Sequence, residues 1–512
     1  MSLRLSPRAL SRRAKVGRAG LDQSDLPVCQ DYVQSIEKLG AKLRHRLRWL
    51  NAASFEMNAD QVKSTLRFGF VDRIEPLKRR LVRPPEPEVG SMECPPLEKA
   101  EGRLLNYGPS YWQNQMINAV VCHDSGYSGA GVLIAMLDNG FRKNHQAFSQ
   151  IVSSGRLVDE WDFVQNRDTV DWAGHGTATW SVAGGYVPGQ LIGPAFGAMW
   201  AIYHTEDNNQ EMPIEEDHWA AALERADLIG ADIVSSSLGY RDFDSSQYSY
   251  SYSQLNGQTA ISTIAAKHAA SLGIIVCNAM GNEGPSPGSL VAPADADSII
   301  SVGATDSLGN IAYYSSRGPT YDGRPKPEVC AQGSSIYLAN WNGTNTYSRG
   351  SGTSFATPLV AGACALILEA HPDWTPMQVR EALMMTANRA SNPDSNTYGW
   401  GVINTWAAMH YNHTGVSQRP GHEFLPRTIA ISPNPIRNAA KITCNRPLSD
   451  QAVLKIYDAL GRMVYNHRLG PGVRTCLWPG IDRYGRKVAG GIYILTIEDQ
   501  GFRGLVRALV VR

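Results

Sequence analysis

The chain has 512 residues, 43% of them hydrophobic and 19% charged, with a formal net charge of +1. That composition belongs to an ordinary globular protein of about three folding units, not to a disordered, fibrous or membrane-embedded chain. A balance so close to neutral gives the whole molecule no general affinity for nucleic acid or for an anionic membrane.

The charge is unevenly placed. Residues 1–83 hold 18 Lys and Arg against 8 Asp and Glu, so the rest of the chain is mildly acidic. An arm of this kind either binds nucleic acid or docks as a detachable segment on a less basic domain, and the acidic remainder favours docking. Its start, Met1–Gly20, is rich in arginine but has no hydrophobic run, so no secretory signal peptide is read there. Further on, Tyr32–Leu43 predicts a helix with Val33, Ile36, Leu39 and Leu43 on one face. The stretch Arg79–Gly102, with five prolines and many charges, predicts an exposed linker.

From about Leu104 to Met409, short apolar runs alternate with helical segments, the pattern of a parallel α/β sheet. Val132–Leu137, Asp232–Ser236 and Ile274–Ala279 predict strands; Ile214–Leu228, Thr259–Ser271 and Ser354–Ala370 predict helices. After about Thr428 the pattern changes. Ala452–Tyr457, Gly491–Ile497 and Arg507–Val511 alternate between glycine turns and predict a small antiparallel β-sandwich, entered through Ser432-Pro433-Asn434-Pro435. The division is therefore 1–83, a basic segment with a small α/β unit; 84–103, a linker; 104–412, the large α/β domain; 413–427, a second linker; and 428–512, the sandwich. No apolar run is read as a transmembrane segment, and no repeat of fixed period is present.

Eight cysteines are spread along the chain without a C-x-x-C pair, which removes metal-knuckle and thioredoxin-type readings. Cys277 and Cys364 lie in apolar runs and read as small core residues. Cys444 and Cys476 are the pair to test first for a disulfide.

Three segments of the large domain carry chemistry. Val132–Leu137 ends in Asp138-Asn139-Gly140, which puts a carboxylate at the carboxyl edge of a sheet, where α/β proteins build their sites; the same tripeptide is also an ordinary turn. Gly174-His175-Gly176-Thr177 leads into Ala178–Gly184, and glycines on both sides of a histidine let its backbone pass close to another surface. Gly352-Thr353-Ser354-Phe355-Ala356-Thr357-Pro358 opens an apolar helix. Ser354 would stand at its N-terminus, among unpaired N–H groups that favour a developing oxyanion; a serine there can also simply cap the helix.

Together these segments resemble the subtilisin family, whose catalytic residues follow the order Asp, His, Ser. Ser236-Ser237-Leu238-Gly239 looks like that family's substrate-binding strand. Ala279-Met280-Gly281-Asn282-Glu283-Gly284 resembles the loop that carries its oxyanion asparagine. Tyr398-Gly399-Trp400-Gly401-Val402-Ile403-Asn404 resembles the run that closes its catalytic domain. The resemblance covers roughly Tyr107–Met409. It implies a subtilisin-like parallel sheet flanked by helices and a serine endopeptidase acting on polypeptides, with Ser354 as nucleophile, His175 as general base, Asp138 as its orienting partner and Asn282 as oxyanion donor. It also implies substrate contacts at Ser236, Ser237, Leu238, Gly239, Met280 and Gly281. Gly284-Pro285-Ser286-Pro287-Gly288 matches the G-x-S-x-G elbow of the α/β-hydrolases, but Pro287 has no N–H to offer an oxyanion, so Ser286 is rejected as a nucleophile.

Asp31–Arg80 resembles the inhibitory pro-domain of subtilisin-like proteases, which implies a zymogen whose own N-terminal segment is a partner until it is cut away. The bland alternative is a permanent accessory domain. The last block resembles FlgD-like immunoglobulin-type sorting domains of secreted Bacteroidetes-type proteins, on Ser432–Pro435, Leu454–Asp458, Gly461-Arg462, Trp478–Asp482, Gly485, Val488 and Gly491–Tyr493. That implies export, secretion machinery as a partner, and a secreted or cell-surface location; a signal peptide is then expected upstream of a start assigned too far downstream. A plain sandwich that stabilises the protease is the alternative. Members of the subtilisin family often bind calcium, which is allowed for here without assigned ligands, since no D-x-D-x-D-G run occurs; no metal residues and no other cofactor are assigned. Two further readings stay open, a catalytically silent binding module of the same fold and an esterase or amidase using the same residues.

Overall fold

The computed structural model describes residues 5–77, 105–413 and 429–511, apart from 19, 22, 171–173, 208, 210, 245, 433–435, 445–446, 459–462 and 500–501. The expected linker Arg79–Gly102, the second linker after His413, Pro433–Pro435 and Gly461-Arg462 therefore fall wholly or almost wholly outside the described residues. The chain divides after His413 into two compact units.

The first unit opens with helix α1 (Pro7–Lys15), helix α2 (Gln30–Glu37), strands β1 (Lys42–Leu47) and β2 (Ala52–Glu56), and helix α3 (Ala59–Thr65). The helix expected over Tyr32–Leu43 is shorter. It ends at Glu37 because the chain turns at Gly40, whose φ of 84° is a left-handed value that suits glycine. Leu43 is consequently not on the helix but in β1, paired with Phe55 of β2.

The body of the unit is a sheet of seven parallel strands. In chain order they are β3 (Leu133–Asp138), β4 (Leu157–Asp162), β5 (Met199–His204), β6 (Ile233–Ser236), β7 (Ile275–Ala279), β8 (Ile300–Thr305) and β9 (Val329–Gln332). In space they run β9-β8-β7-β6-β3-β5-β4. A parallel sheet has both faces covered, so its strands read as unbroken apolar runs, and β3 is buried at every residue. Its side chains alternate between two cores. Ile134 and Met136 pack with helices α4 (His175–Gly184) and α7 (Thr353–Ala370). Leu133, Ala135 and Leu137 pack with α5 (Ile214–Ile229) and α6 (Ile261–Ser271).

By length and apolar composition alone, helix α7 could cross a membrane. It is nevertheless a core helix: Leu359, Val360, Leu366 and Ile367 are fully buried, each contributing about 1.5–3 kcal/mol by leaving water. Cys277 and Cys364 meet in this core as thiols, with sulfurs 3.9 Å apart. The run Tyr398–Asn404 lies along the outer strand, where Cys330 donates to the Gly401 carbonyl at 2.8 Å and Ile403 to that of Cys330 at 3.1 Å.

The hairpin of β1 and β2 sits on α5. Leu47 enters the core beneath that helix, Trp49 N–H donates to Glu224 Oε1 at 3.0 Å, and the rings of His45 and His218 meet edge to face at 5.0 Å.

The second unit has a sheet of three antiparallel strands, β10 (Ile429–Ser432), β11 (Ala440–Cys444) and β14 (Thr475–Trp478). Its other sheet has four, β12 (Val453–Asp458), β13 (Met463–Arg468), β15 (Gly491–Asp499) and β16 (Phe502–Val510). Ile442 and Trp478 from the first share a core with Leu454, Ile456, Leu495 and Ile497 from the second, which makes the unit a sandwich. Cys444 and Cys476, the pair to test first for a disulfide, lie on the adjacent strands β11 and β14 as free thiols.

Candidate active site

The strand order reverses at β3. The chain builds β4 and β5 on one side of it, then crosses to place β6, β7, β8 and β9 on the other. Ligand sites of open α/β sheets lie at the carboxyl ends of strands flanking such a reversal. Asp138 is the last residue of β3, Ser236 the last of β6 and Ala279 the last of β7, so three of the sequence-predicted segments leave the same edge of the sheet.

His175 is the first residue of α4. The glycines beside it are required by the approach of the Asp138–Gly140 turn. A Cβ on Gly176 would lie 2.6 Å from the Gly140 carbonyl oxygen and 2.8 Å from Asp138 Cβ, and one on Gly174 would lie 2.4 Å from Asn139 Oδ1. The approach brings His175 Nδ1 to 2.9 Å from Asp138 Oδ1. Asp138 is itself held from two sides, by the Asn139 N–H on Oδ1 at 2.8 Å and by Thr179 Oγ1 on Oδ2 at 2.9 Å. With Asp138 accepting, the Nδ1 of His175 carries the proton and Nε2 is left as the basic nitrogen. Burial acts to lower the pKa of His175, but the charge of Asp138 and its hydrogen bond outweigh it and raise the pKa above the usual value. The imidazole is 15% exposed and reachable.

A second buried carboxylate, Glu206, stands near Asp138. Burial, with repulsion from Asp138 added, pushes its pKa up to about 7 against the opposing hydrogen bonds from Tyr240 and Thr205. Tyr240 Oη donates to it at 2.6 Å. Composition and spacing gave no sign of this group, because its neighbours come from a different strand.

Ser354 is the second residue of α7, whose N-cap is Gly352. Its hydroxyl donates to the Ser237 carbonyl at 3.3 Å and does not cap the helix, which removes the capping explanation. The backbone there has a gap: Pro358, four residues on, has no N–H for the Ser354 carbonyl. Ser237 Oγ fills it, donating to that carbonyl at 2.7 Å. One proline and one serine therefore tie the helix of Ser354 to the end of β6. The ring of Phe355, the next residue, lies 5.3 Å from that of His175, so the heads of α4 and α7 adjoin.

Asn282 follows β7. Its Oδ1 accepts from the Thr353 N–H at 2.9 Å and from Thr353 Oγ1 at 3.0 Å, which fixes the amide and points Nδ2 the other way. A Cβ on Gly352 would lie 3.7 Å from that Nδ2 and 3.8 Å from Ser354 Cβ. The space beside Gly352 is thus bordered by the donor end of Asn282 and by the serine.

The predicted substrate segment splits by chemistry. Ser236 Oγ accepts from the buried Trp219 indole at 2.9 Å, and Met280 is buried, so these two side chains face the core. The Leu238 carbonyl accepts from Asn278 Nδ2 at 3.0 Å. Gly239 abuts Val291, whose Cγ2 would lie 2.2 Å from an added Cβ. A Cβ on Gly281 would lie 2.3 Å from Glu283 Oε2. Ser286, rejected as an elbow serine, is exposed in a turn and no helix follows it. Among the described residues no group of three or more His, Cys, Asp and Glu gathers to hold a metal.

Two positioning residues escaped sequence reasoning, Thr179 and Thr353. Thr179 is four residues after His175 on one helix, hence on the same face, and that spacing was the available signal. Thr353 precedes Ser354, but its bond to Asn282 spans separate segments and had no local signature.

Residues 129–401 match the model of the subtilase family, peptidase S8, and residues 2–89 match a peptidase S8 propeptide domain of Bacteroidota. The chain is 31% identical over 383 residues to subtilisin amylosacchariticus of Bacillus subtilis subsp. amylosacchariticus, covering 73% of this chain and 84% of the relative. It is 30% identical over 330 residues to serine protease AprX of Bacillus subtilis, covering 56% and 67%. To subtilisin of Bacillus pumilus it is 33% identical over 302 residues, covering 57% and 96%.

Proposed function

Because the chain belongs to the subtilase family and is a serine-type endopeptidase carrying its own propeptide, we propose that Asp138, His175 and Ser354 are its catalytic triad and Asn282 its oxyanion donor. The observation that carries this is the 2.9 Å bond from His175 Nδ1 to Asp138, made where the heads of α4 and α7 adjoin.

The 3.3 Å bond of Ser354 to Ser237 is long for a hydroxyl donor, so turning the hydroxyl to His175 Nε2 gives up little. Nε2 takes the proton as Ser354 Oγ attacks the scissile carbonyl. Asp138 stabilises the imidazolium that results, without itself being protonated. The tetrahedral oxyanion forms beside Asn282 Nδ2, which Thr353 has already oriented, so donation costs no reorganisation. The imidazolium then protonates the leaving amine, and water attacks the acyl-enzyme by the same route in reverse.

Asn282→Ala is the test of this arrangement. Turnover of a peptide substrate should fall about 10²–10³-fold with KM little changed, because the lost bond forms only in the transition state. A change confined to KM would assign Asn282 to substrate binding instead.

Secretion is the second part of the proposal. It is supported by the Bacteroidota-type propeptide and by a C-terminal unit that is a separate antiparallel sandwich with its own core. In a Bacteroidota host, the chain lacking 428–512 should stay inside the cell while the full chain reaches the medium or the cell surface. Equal export of both would remove the sorting role.

A further inference from the structure

The arginine-rich start of the chain folds into α1, and α1 does not lie near the candidate active site. Its helix is well specified. Ser6 accepts from the Ala9 N–H at 3.1 Å, Pro7 stands at the first turn, and Arg12, Arg13 and Lys15 end it, each placement suiting the helix dipole. What it docks against is unusual. Helix α5 ends at Gly230 and α6 is followed by Gly273, with φ of 87° and 91°, so neither leaves a side chain in the way. A Cβ on Gly230 would lie 2.6 Å from Ala9 N, and one on Gly273 would lie 3.0 Å from the Arg12 carbonyl oxygen.

A helix C-terminus leaves carbonyls without partners, and here α1 supplies them. The Ser6 N–H donates to the Leu228 carbonyl at 3.0 Å, and Arg8 Nε to that of Gly230 at 3.0 Å. Arg12 donates to Ala231 at 2.7 Å and to Leu272 at 3.1 Å, so one arginine spans the ends of both helices. The three-arginine grip on Asp227 is tighter still. Arg12 pairs with Asp227, Arg13 with Asp227 at 2.5 Å, and Arg48, at the end of the hairpin, with Asp227 at 2.8 Å. Asp25 holds Arg13 from behind with bonds of 2.8 and 2.7 Å. Asp227, Arg12 and Arg13 are all at most 1% exposed at their side chains.

We infer that α1 is an anchor that keeps the pro-segment on the catalytic domain after the linker has been cut, so that loss of this grip, and not linker cleavage, sets when the segment leaves. The inference rests on the N-terminal segment being a propeptide, but not on the identity of the nucleophile. The physical ground is that these buried contacts must break together. The carbonyl bonds at the ends of both helices and the arginine grip on Asp227 have no water to replace them until the helix has left, which makes the bound state long-lived. In the docked state, removing an arginine partner strands the charge of Asp227 in the buried site at large cost.

The test uses the full chain with Ser354→Ala, carrying a recognition sequence for a site-specific protease within residues 84–103. After cutting by that protease, release of the N-terminal fragment is followed by size-exclusion chromatography and mass. The parent should retain the fragment. Arg12→Gln with Arg13→Gln should release it faster by a factor on the order of 10²–10³, and deletion of residues 1–16 should do at least as much. The deletion removes nothing from the α/β unit or the catalytic domain, so it stays informative should the double variant misfold. If the cut parent sheds its fragment as fast as the deletion form, α1 is not an anchor. Because the readout is mass and not activity, this failure is distinct from failure of the proposed triad.

Discussion

Ser354→Ala should lower turnover of a peptide substrate by about 10⁶-fold, the scale found when the serine of a subtilisin is removed, and should leave the chain uncut at its own linker. The size follows from the role, since without Oγ no acyl-enzyme forms and His175 has no proton to take. The structure also says what the change should leave alone. Ser354 makes one long side-chain bond, to Ser237, while the contact that ties its helix to β6 is made by its backbone carbonyl and survives. Melting temperature should therefore move little, within the roughly 0.5 kcal/mol typical of substitutions away from core and buried networks. Assay of turnover beside thermal unfolding checks both halves. A large loss of stability would mean that the activity loss reports folding.

Asp138→Asn should cost about 10⁴-fold in turnover, by leaving His175 with the wrong tautomer and no stabilised imidazolium. Its pH profile is the sharper signature. In the parent, Asp138 raises the pKa of His175 above its usual value of about 6.5. The base must be neutral to act, so kcat/KM should be low in acid and rise through a midpoint above that value. With asparagine the carboxylate's contribution is gone and burial, which favours the neutral ring, is left. The midpoint should then move to lower pH while the plateau falls. An unchanged midpoint would mean that Asp138 does not face the general base.

Much of this was legible in the sequence because close approach dictates composition. The glycines beside His175 are there since the Asp138–Gly140 turn leaves no room for a Cβ, and β3 reads as an apolar run because both of its faces are buried. Pattern also separated the parallel sheet from the antiparallel sandwich, since strands buried on both faces read as unbroken apolar runs and strands with one wet face alternate apolar with polar. The remainder depended on contacts between distant segments. Thr353 orients Asn282 across 71 residues of sequence, and Ser237 completes a helical bond that Pro358 cannot make. Both residues sat inside recognised motifs without showing these tasks. The arginines of Met1–Gly20 announced a docking arm by charge alone. That they close the ends of two helices could be seen only once α5 and α6 lay side by side. The apolar run of α7 was read as a helix of the α/β domain and is one, although length and hydropathy alone do not distinguish a membrane span from a helix buried against a sheet.

The most direct test of the central claim is labelling of the purified chain with a fluorophosphonate probe, which reacts with activated serines, followed by peptide mapping. The parent is measured beside Ser354→Ala, both after removal of the N-terminal segment by limited proteolysis. Label on the peptide bearing Ser354, absent from the variant, is the predicted result. A parent that stays unlabelled, or equal labelling of both forms at another serine, would contradict it and leave a subtilase fold that binds without cutting or cuts with a different nucleophile.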